Sequence, residues 1–340
     1  MNPEILNQTA LAMVAPGRGL LAADESTGTI KKRFDSIGVE NTELNRQTYR
    51  DMLFTTDGFE QHTSGVILFE ETLFQKSLAG VPFPELLASK GVIPGIKVDK
   101  GAQPLANAHP DETVTEGLDG LRGRLEKYKA AGARFAKWRA VINITDNAPT
   151  DYAIHVNAHA LARYAALCQE HDIVPIVEPE VLMDGDHAIE VCEEVTDLVL
   201  DAVFAELSAQ NILLEGIVLK PNMVVSGKKC PDQAGVDEVA ERTVRVLRRR
   251  VPAAVPGIAF LSGGQSDVDA TAHLDAMNRL GGLPWSLTFS YGRALQAAAL
   301  KAWGGKADNL DAGRAAHLHR AKMNGLAARG QWTTAQEQAA

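Results

Sequence analysis

Eight short apolar runs alternate with helix-like stretches along this chain, and that alternation restricts the fold more than any other feature. The runs are Gly19–Ala23, Gly65–Phe69, Gly95–Val98, Arg134–Trp138, Val174–Val177, Gly216–Leu219, Gly257–Leu261 and Trp285–Phe289. Each is short enough for a buried strand and ends near polar or glycine residues. Centred on Leu21, Leu68, Ile96, Phe135, Ile176, Val218, Phe260 and Leu287, they recur at gaps of 27 to 47 residues. Between them, Asn157–Cys168 is rich in helix formers with apolar residues at helical spacing. Asp237–Arg250 ends in arginines that suit the negative end of a helix dipole. Ala294–Trp303 is followed by Gly304 and Gly305, which stop a helix.

Strand and helix in alternation make a parallel sheet, and eight units point to closure. The expected fold class is α/β, a single (β/α)8 TIM barrel formed by one domain over residues 1–340. The alternative is an open doubly wound sheet, which normally carries a Gly-rich phosphate loop after its first strand. Here the first run is followed by Asp24-Glu-Ser-Thr-Gly28, which is neither GxGxxG nor a P-loop. No Pro-, Gly- or Ser-rich linker divides the chain. Apolar periodicity fades from about 325 to 340, so a flexible C-terminal tail is expected there.

The net charge of −9 argues against general nucleic-acid binding, which needs a basic face. Cys168, Cys192 and Cys230 are far apart and form no CxxC pair, so a reducing compartment is expected. The first ten residues lack the basic and apolar regions of a signal peptide. No apolar run approaches the ~18 residues of a membrane span. Together these predict a cytoplasmic protein with no membrane partner.

In a barrel of this kind, active sites gather at the C-terminal ends of the strands. Polar residues fall at those ends here. Lys220 follows Val218 and Leu219, and Pro221 then stops the ladder because it has no N–H to donate. An amine emerging from a buried strand loses hydration, which favours its neutral, nucleophilic form. Such an amine can attack a carbonyl and form a Schiff base. The alternative is a strand-end lysine whose head reaches water. Lys97/Asp99, Lys137/Arg139 and Glu178/Glu180 are i, i+2 pairs, so each pair shares one face of an extended strand. If that face is the barrel interior, cations and carboxylates converge on one pocket beside Lys220. Interior salt bridges of purely structural use are the competing reading for any single pair.

Ser262-Gly263-Gly264 offers backbone N–H groups without Cβ hindrance, which suits a phosphate. Ser290-Tyr-Gly292-Arg293 adds a second glycine and a guanidinium. Either loop alone is also compatible with a plain turn. Lys97, Lys137, Arg139 and Arg33 are candidates for a second phosphate. Two anionic ends with a lysine between them indicate a bisphosphorylated carbonyl substrate. Metal chemistry is the competing class. His155 and His159 have i, i+4 spacing, but no HExxH or cysteine cluster completes a zinc site. These histidines, with His317 and His319, are expected on the surface or as caps, and no metal or cofactor is expected.

The motifs together resemble class I fructose-bisphosphate aldolase, the metal-independent glycolytic form, over nearly the whole chain. The matching segments include Leu21–Gly28, Gly95–Gly101, Phe135–Arg139, Val174–Glu180, Leu219–Met223, Leu261–Ser266 and Phe289–Gln296. The resemblance implies that Lys220 forms the Schiff base and that Glu178 is the general acid/base. It implies that Asp24 takes the C4 hydroxyl proton, and that Lys137 orients the carboxylates and depresses the pKa of the reactive lysine. Glu180 would join this catalytic group. Ser262, Gly263, Gly264, Ser290, Gly292 and Arg293 would hold one phosphate. Ser26, Thr29, Arg33, Lys97 and Arg139 would serve the other phosphate or the sugar hydroxyls. The family's sugar-phosphate substrate, homotetrameric assembly and lack of a cofactor are expected with it. Sedoheptulose 1,7-bisphosphate or fructose 1-phosphate are alternative substrates for the same chemistry, and a partner-binding scaffold is the non-enzyme alternative. Two departures stand out. Thr29 replaces a common serine, and the tail ends Gln336-Glu-Gln-Ala-Ala340 without the terminal tyrosine of the animal enzymes.

Overall fold

A computed structural model describes residues 1–147 and 149–338. In chain order the strands are β1 (Gly19–Ala23), β2 (Thr63–Leu68), β3 (Ile93–Lys97), β4 (Ala102–Pro104) and β5 (Thr113–Thr115). They continue with β6 (Phe135–Ile142), β7 (Val174–Val181), β8 (Val218–Leu219), β9 (Gly257–Phe260) and β10 (Ser286–Tyr291). All eight expected strands form, pair in parallel with their sequence neighbours, and close as β1 meets β10. The fold is a (β/α)8 TIM barrel. The antiparallel ribbon of β4 and β5 follows β3 and has no apolar signature, because β4 is wholly exposed.

The helices are α1 (Pro3–Met13), α2 (Thr27–Asp35), α3 (Glu43–Phe54), α4 (Glu70–Phe74), α5 (Phe83–Ser89) and α6 (Leu121–Ala130). After them come α7 (Asp151–Glu170), α8 (Ile189–Ala209), α9 (Val236–Arg250) and α10 (Asp267–Leu280). The last are α11 (Arg293–Trp303), α12 (Leu310–Ala327) and α13 (Thr334–Glu337). None of the described helices is long and apolar enough to cross a membrane. Helix α7 extends well beyond the Asn157–Cys168 stretch expected from periodicity, because Thr150 caps it and Asp151 opens its first turn.

Two cores share the strands. Alternate residues face the surrounding helices, and the others fill the barrel. Inside, Leu20, Ile67, Phe135, Val174, Ile176, Val218 and Ala259 form an apolar floor. Helix α1 closes it from below with Leu6, Ala10 and Met13, all fully buried. Phe135 fills the barrel so tightly that a Cβ on Gly95 would lie 2.2 Å from its ring. Strands β6 and β7 each run eight residues, past the apolar runs that marked them. Their upper halves carry Arg139, Glu178 and Glu180, and charge masked these residues as strand in the sequence.

Two expectations change in the outer layer. His317 is not a surface or capping residue: it is fully buried on α12, with its ring 5.8 Å from that of Phe59. Among the described residues, neither ring nitrogen has a hydrogen-bond partner. Burial pushes its imidazole from the ordinary 6.5 down to about 4. The unfolded chain therefore binds a proton that the folded chain refuses, so stability falls as pH drops below 6.5. Each pH step of the gap is worth about 1.4 kcal/mol, giving about 3 kcal/mol at pH 4. Between pH 7 and pH 4, denaturant unfolding should show a loss about 3 kcal/mol smaller in His317→Leu than in the parent. The remainder comes from other groups such as the buried His273, whose imidazole burial also lowers to about 4.

The expected loose tail is also structured through residue 338. Helix α12 continues to Ala327, and Trp332 is buried. The Trp332 N–H donates to Asp275 Oδ1 at 2.8 Å, and its indole N–H donates to Glu337 Oε2 at 2.8 Å. Glu337 also pairs with Arg320. One buried tryptophan anchors the segment without any periodic pattern. Ala339 and Ala340 lie outside the described residues.

Candidate active site

Above the apolar floor, the inward positions turn ionic. The period of two that puts Phe135 inside also puts Lys137, Arg139 and Val141 inside. On β7 the same rule carries Val174 and Ile176 on to Glu178 and Glu180. The result is a cavity of about 340 Å³ at the C-terminal mouth of the barrel. Six cationic residues line it, Arg33, Lys97, Lys137, Arg139, Lys220 and Arg293, against five carboxylates. A local cationic excess in a chain of net charge −9 selects for an anionic ligand.

Lys220 is 3 % exposed, and its Nζ lies 3.1 Å from Glu178 Oε1. Its own N–H makes the last ladder bond, to Val177 O at 2.8 Å. Pro221 then frees the chain, and Asn222 pins the next segment by accepting from the Val181 N–H at 3.1 Å. The amine is thus held at a fixed depth. Glu178 Oε2 lies 3.4 Å from Lys137 Nζ, at ion-pair range but without hydrogen-bond alignment. Lys137 Nζ also contacts Asp24 Oδ2 at 2.8 Å. The row Asp24–Lys137–Glu178–Lys220 therefore alternates in sign across the base of the cavity, above the apolar floor.

Burial raises the Asp24 carboxyl, but the charges of Lys137 and Lys220 outweigh it and hold the group far below the usual carboxylate range. Lys137 is the mirror case. Burial disfavours its charge, yet Asp24, Glu178 and Asp99 push its ammonium far above the ordinary lysine value. Lys137 remains a cation and Asp24 an anion at neutral pH. Glu180 pairs with Arg139, and Lys97 Nζ sits 2.7 Å from Asp99 Oδ1.

Two clusters of hydroxyls, helix N-termini and guanidinium groups flank this row. On one side Ser26 caps α2, with its Oγ 3.1 Å from Thr29 Oγ1. Arg33 lies one turn further along the same helix. On the other side Gly263 and Gly264 have φ of 60° and 101°, a backbone that glycine adopts freely. Beside them Gly292 caps α11, Arg293 opens it, and the buried Ser290 hydroxyl has no hydrogen-bond partner among the described residues. Hydroxyls, helix N-termini and guanidinium groups in such positions suit phosphates.

The chain matches the family model described as "Glycolytic: Fructose-bisphosphate aldolase class-I" over residues 5–340. The chain belongs to the class I fructose-bisphosphate aldolases. A probable class 1 fructose-bisphosphate aldolase of Xanthomonas campestris is 60% identical over 333 residues, covering 98% of this chain and 99% of that one. Cytosolic fructose-bisphosphate aldolase 4 of Arabidopsis thaliana is 57% identical, covering 93% and 80%. A solved Plasmodium falciparum fructose-bisphosphate aldolase, in complex with TRAP and an inhibitor, superposes with TM-score 0.96 at 53% identity, covering 97% and 96%.

Within this aldolase barrel, the site residues expected from sequence all line one cavity except Gly264, which sits just behind Gly263. Sequence reasoning missed the support beneath it. Glu25 pairs through Oε1 with Arg33 and through Oε2 with Arg50 Nη2 at 2.8 Å. Gln296 donates to Glu25 Oε1 at 2.8 Å and accepts from Tyr49 OH at 3.0 Å. Glu25 sits next to Asp24 in sequence, but Arg50 and Gln296 lie on helices, where no local pattern separates them from ordinary polar residues. Among the described residues, no group of three or more His, Cys, Asp and Glu is placed to hold a metal ion. His155 and His159 instead face Glu206, at 3.6 and 3.0 Å.

Proposed function

We propose that this chain reversibly cleaves D-fructose 1,6-bisphosphate to glycerone phosphate and D-glyceraldehyde 3-phosphate through a Schiff base on Lys220, as a carbon–carbon lyase of glycolysis and gluconeogenesis. The observation that carries the reading is the buried Lys220 amine, 3.1 Å from a carboxylate and between two phosphate cradles.

Glu178 takes a proton from Lys220, and the freed lone pair attacks C2 of the substrate. The carbinolamine hydroxyl then leaves as water with a proton from Glu178, which gives the iminium. Asp24 accepts the C4 hydroxyl proton as the C3–C4 bond breaks. The bond's electron pair flows into the iminium, forming a neutral enamine, and the aldehyde departs. Loss of the iminium charge removes one of the cations that depress Asp24, so its basicity rises as the proton arrives. Protonation at C3 and hydrolysis of the imine release glycerone phosphate. Lys137 keeps both carboxylates aligned, Glu180 fixes Arg139, and the cradles at Ser26–Arg33 and Ser262–Arg293 hold the phosphates. Borohydride with substrate should fix one three-carbon adduct, on Lys220, in a peptide mass map. An adduct elsewhere, or none, would remove the Schiff-base reading.

The same reading makes the chain one catalytic domain that assembles as a cytoplasmic homotetramer. The large apolar side chains Val191 and Leu198 are exposed on α8, which supports burial between copies. The Arabidopsis relative's name supports the compartment. A solution mass of four chains is the expected result, and a monomer would contradict it.

A further inference from the structure

The geometry points to Lys228 as an additional phosphate-binding cation at the Ser262–Arg293 cradle, one that discriminates substrates phosphorylated at that end. The inference rests on the aldolase reading of that cradle. Lys228 lies in the segment between β8 and α9, outside every barrel strand, and no motif marks it.

Its backbone is tied to the loop after β7. The Gly227 N–H donates to His187 O at 2.8 Å, the Lys228 N–H to Met183 O at 2.8 Å, and the Lys229 N–H to Gly185 O at 2.7 Å. The two loops approach so closely that a Cβ on Gly227 would stand 2.6 Å from Gly185 O. Position 228 is therefore fixed relative to β7 and β8, and its side chain reaches the loop after β9. A Cβ built on Gly264 would meet Lys228 Nζ at 2.6 Å and Arg293 Nη2 at 3.1 Å. Two cationic groups thus converge on one face of one glycine.

Among the described residues, the one counter-charge paired with these two cations is Asp184, whose Oδ1 lies 2.9 Å from Lys228 Nζ. That carboxylate is 62% exposed, and among the described residues Arg293 makes no ion pair. Of these two neighbouring cations, one has a single solvated carboxylate as partner and the other has none among the described residues, so together they are undercompensated. A phosphate dianion, with three free oxygens and more charge than a carboxylate, satisfies both. Lys228 carries three N–H donors, so it can keep Asp184 and still donate to the phosphate. Asp184 acts as the resting partner that holds the amine in place while the cradle is empty.

The test is titration with inorganic phosphate, read by calorimetry on the free protein, alongside steady-state cleavage of the bisphosphate. Losing one charge-assisted hydrogen bond at a half-exposed group should weaken phosphate about tenfold at one of the two cradles in Lys228→Ala. KM should rise by a similar factor while kcat stays within about twofold, because the contact holds substrate and transition state alike. Lys228→Arg should stay close to the parent, and Asp184→Asn should bind phosphate at least as tightly. Unchanged phosphate affinity in Lys228→Ala would overturn the proposal. So would an equal loss in Lys228→Arg, since charge would then not be the determinant. Phosphate binding needs no Schiff base, so this result stands apart from the borohydride test at Lys220.

Discussion

Lys220→Ala is expected to lower kcat by at least about 10⁴-fold, because the covalent route disappears with the amine. No neighbour can replace it. Lys137 is the nearest alternative amine on the same carboxylate row, but Asp24 and Glu178 hold it charged, and an ammonium has no lone pair to attack with. The barrel should survive the change. Strand β8 keeps its pairing with β7 and β9, and Glu178 keeps Lys137 as a partner. The measurement is steady-state cleavage of fructose 1,6-bisphosphate, with phosphate affinity as the control for an intact pocket. Normal turnover in this variant would sink the mechanism.

The second large effect is at Glu178. Glu178→Gln preserves shape and a hydrogen bond to Lys220, but the amide cannot accept and return a proton. Removing a positioned acid/base costs about 10² to 10⁴ in rate. We expect kcat near the middle of that range and a matching slow step in adduct formation. Rapid-quench borohydride trapping reads this directly: the yield on Lys220 should build slowly with time instead of appearing at once. If adduct forms at the parent rate while cleavage stays slow, the role of Glu178 shifts from carbinolamine dehydration to a later proton transfer. If both rates match the parent, Glu178 is only a counter-ion. Its Oε2 has no aligned partner among the described residues, so it can meet a substrate hydroxyl without breaking an existing hydrogen bond.

How far the sequence spoke depended on whether the signal was local. Period-two placement made Lys137/Arg139 and Glu178/Glu180 legible in the sequence, because a strand obeys that rule wherever it sits. The same charges hid the upper halves of β6 and β7, since apolar content was the only mark of a strand. His317 was misplaced for a related reason. A polar-looking helix conceals how deep each face is buried, and depth depends on what packs above it. The anchoring of the tail by Trp332 leaves no trace in periodicity, because one buried residue forms no repeat.

Alternating runs, strand-end lysines and glycine loops determined the barrel, the charged groups at its mouth and the residues on the Asp24–Lys220 row. These are short-range properties, set by side-chain alternation and backbone freedom within a few residues. Only the tertiary structure decided which charges pair. It put Lys137 between Asp24 and Glu178, set Glu25 between Arg33 and Arg50, and brought Lys228 against Gly264 from a different loop. Those contacts join residues far apart in the chain, and their energies depend on burial and distance, which no local pattern encodes.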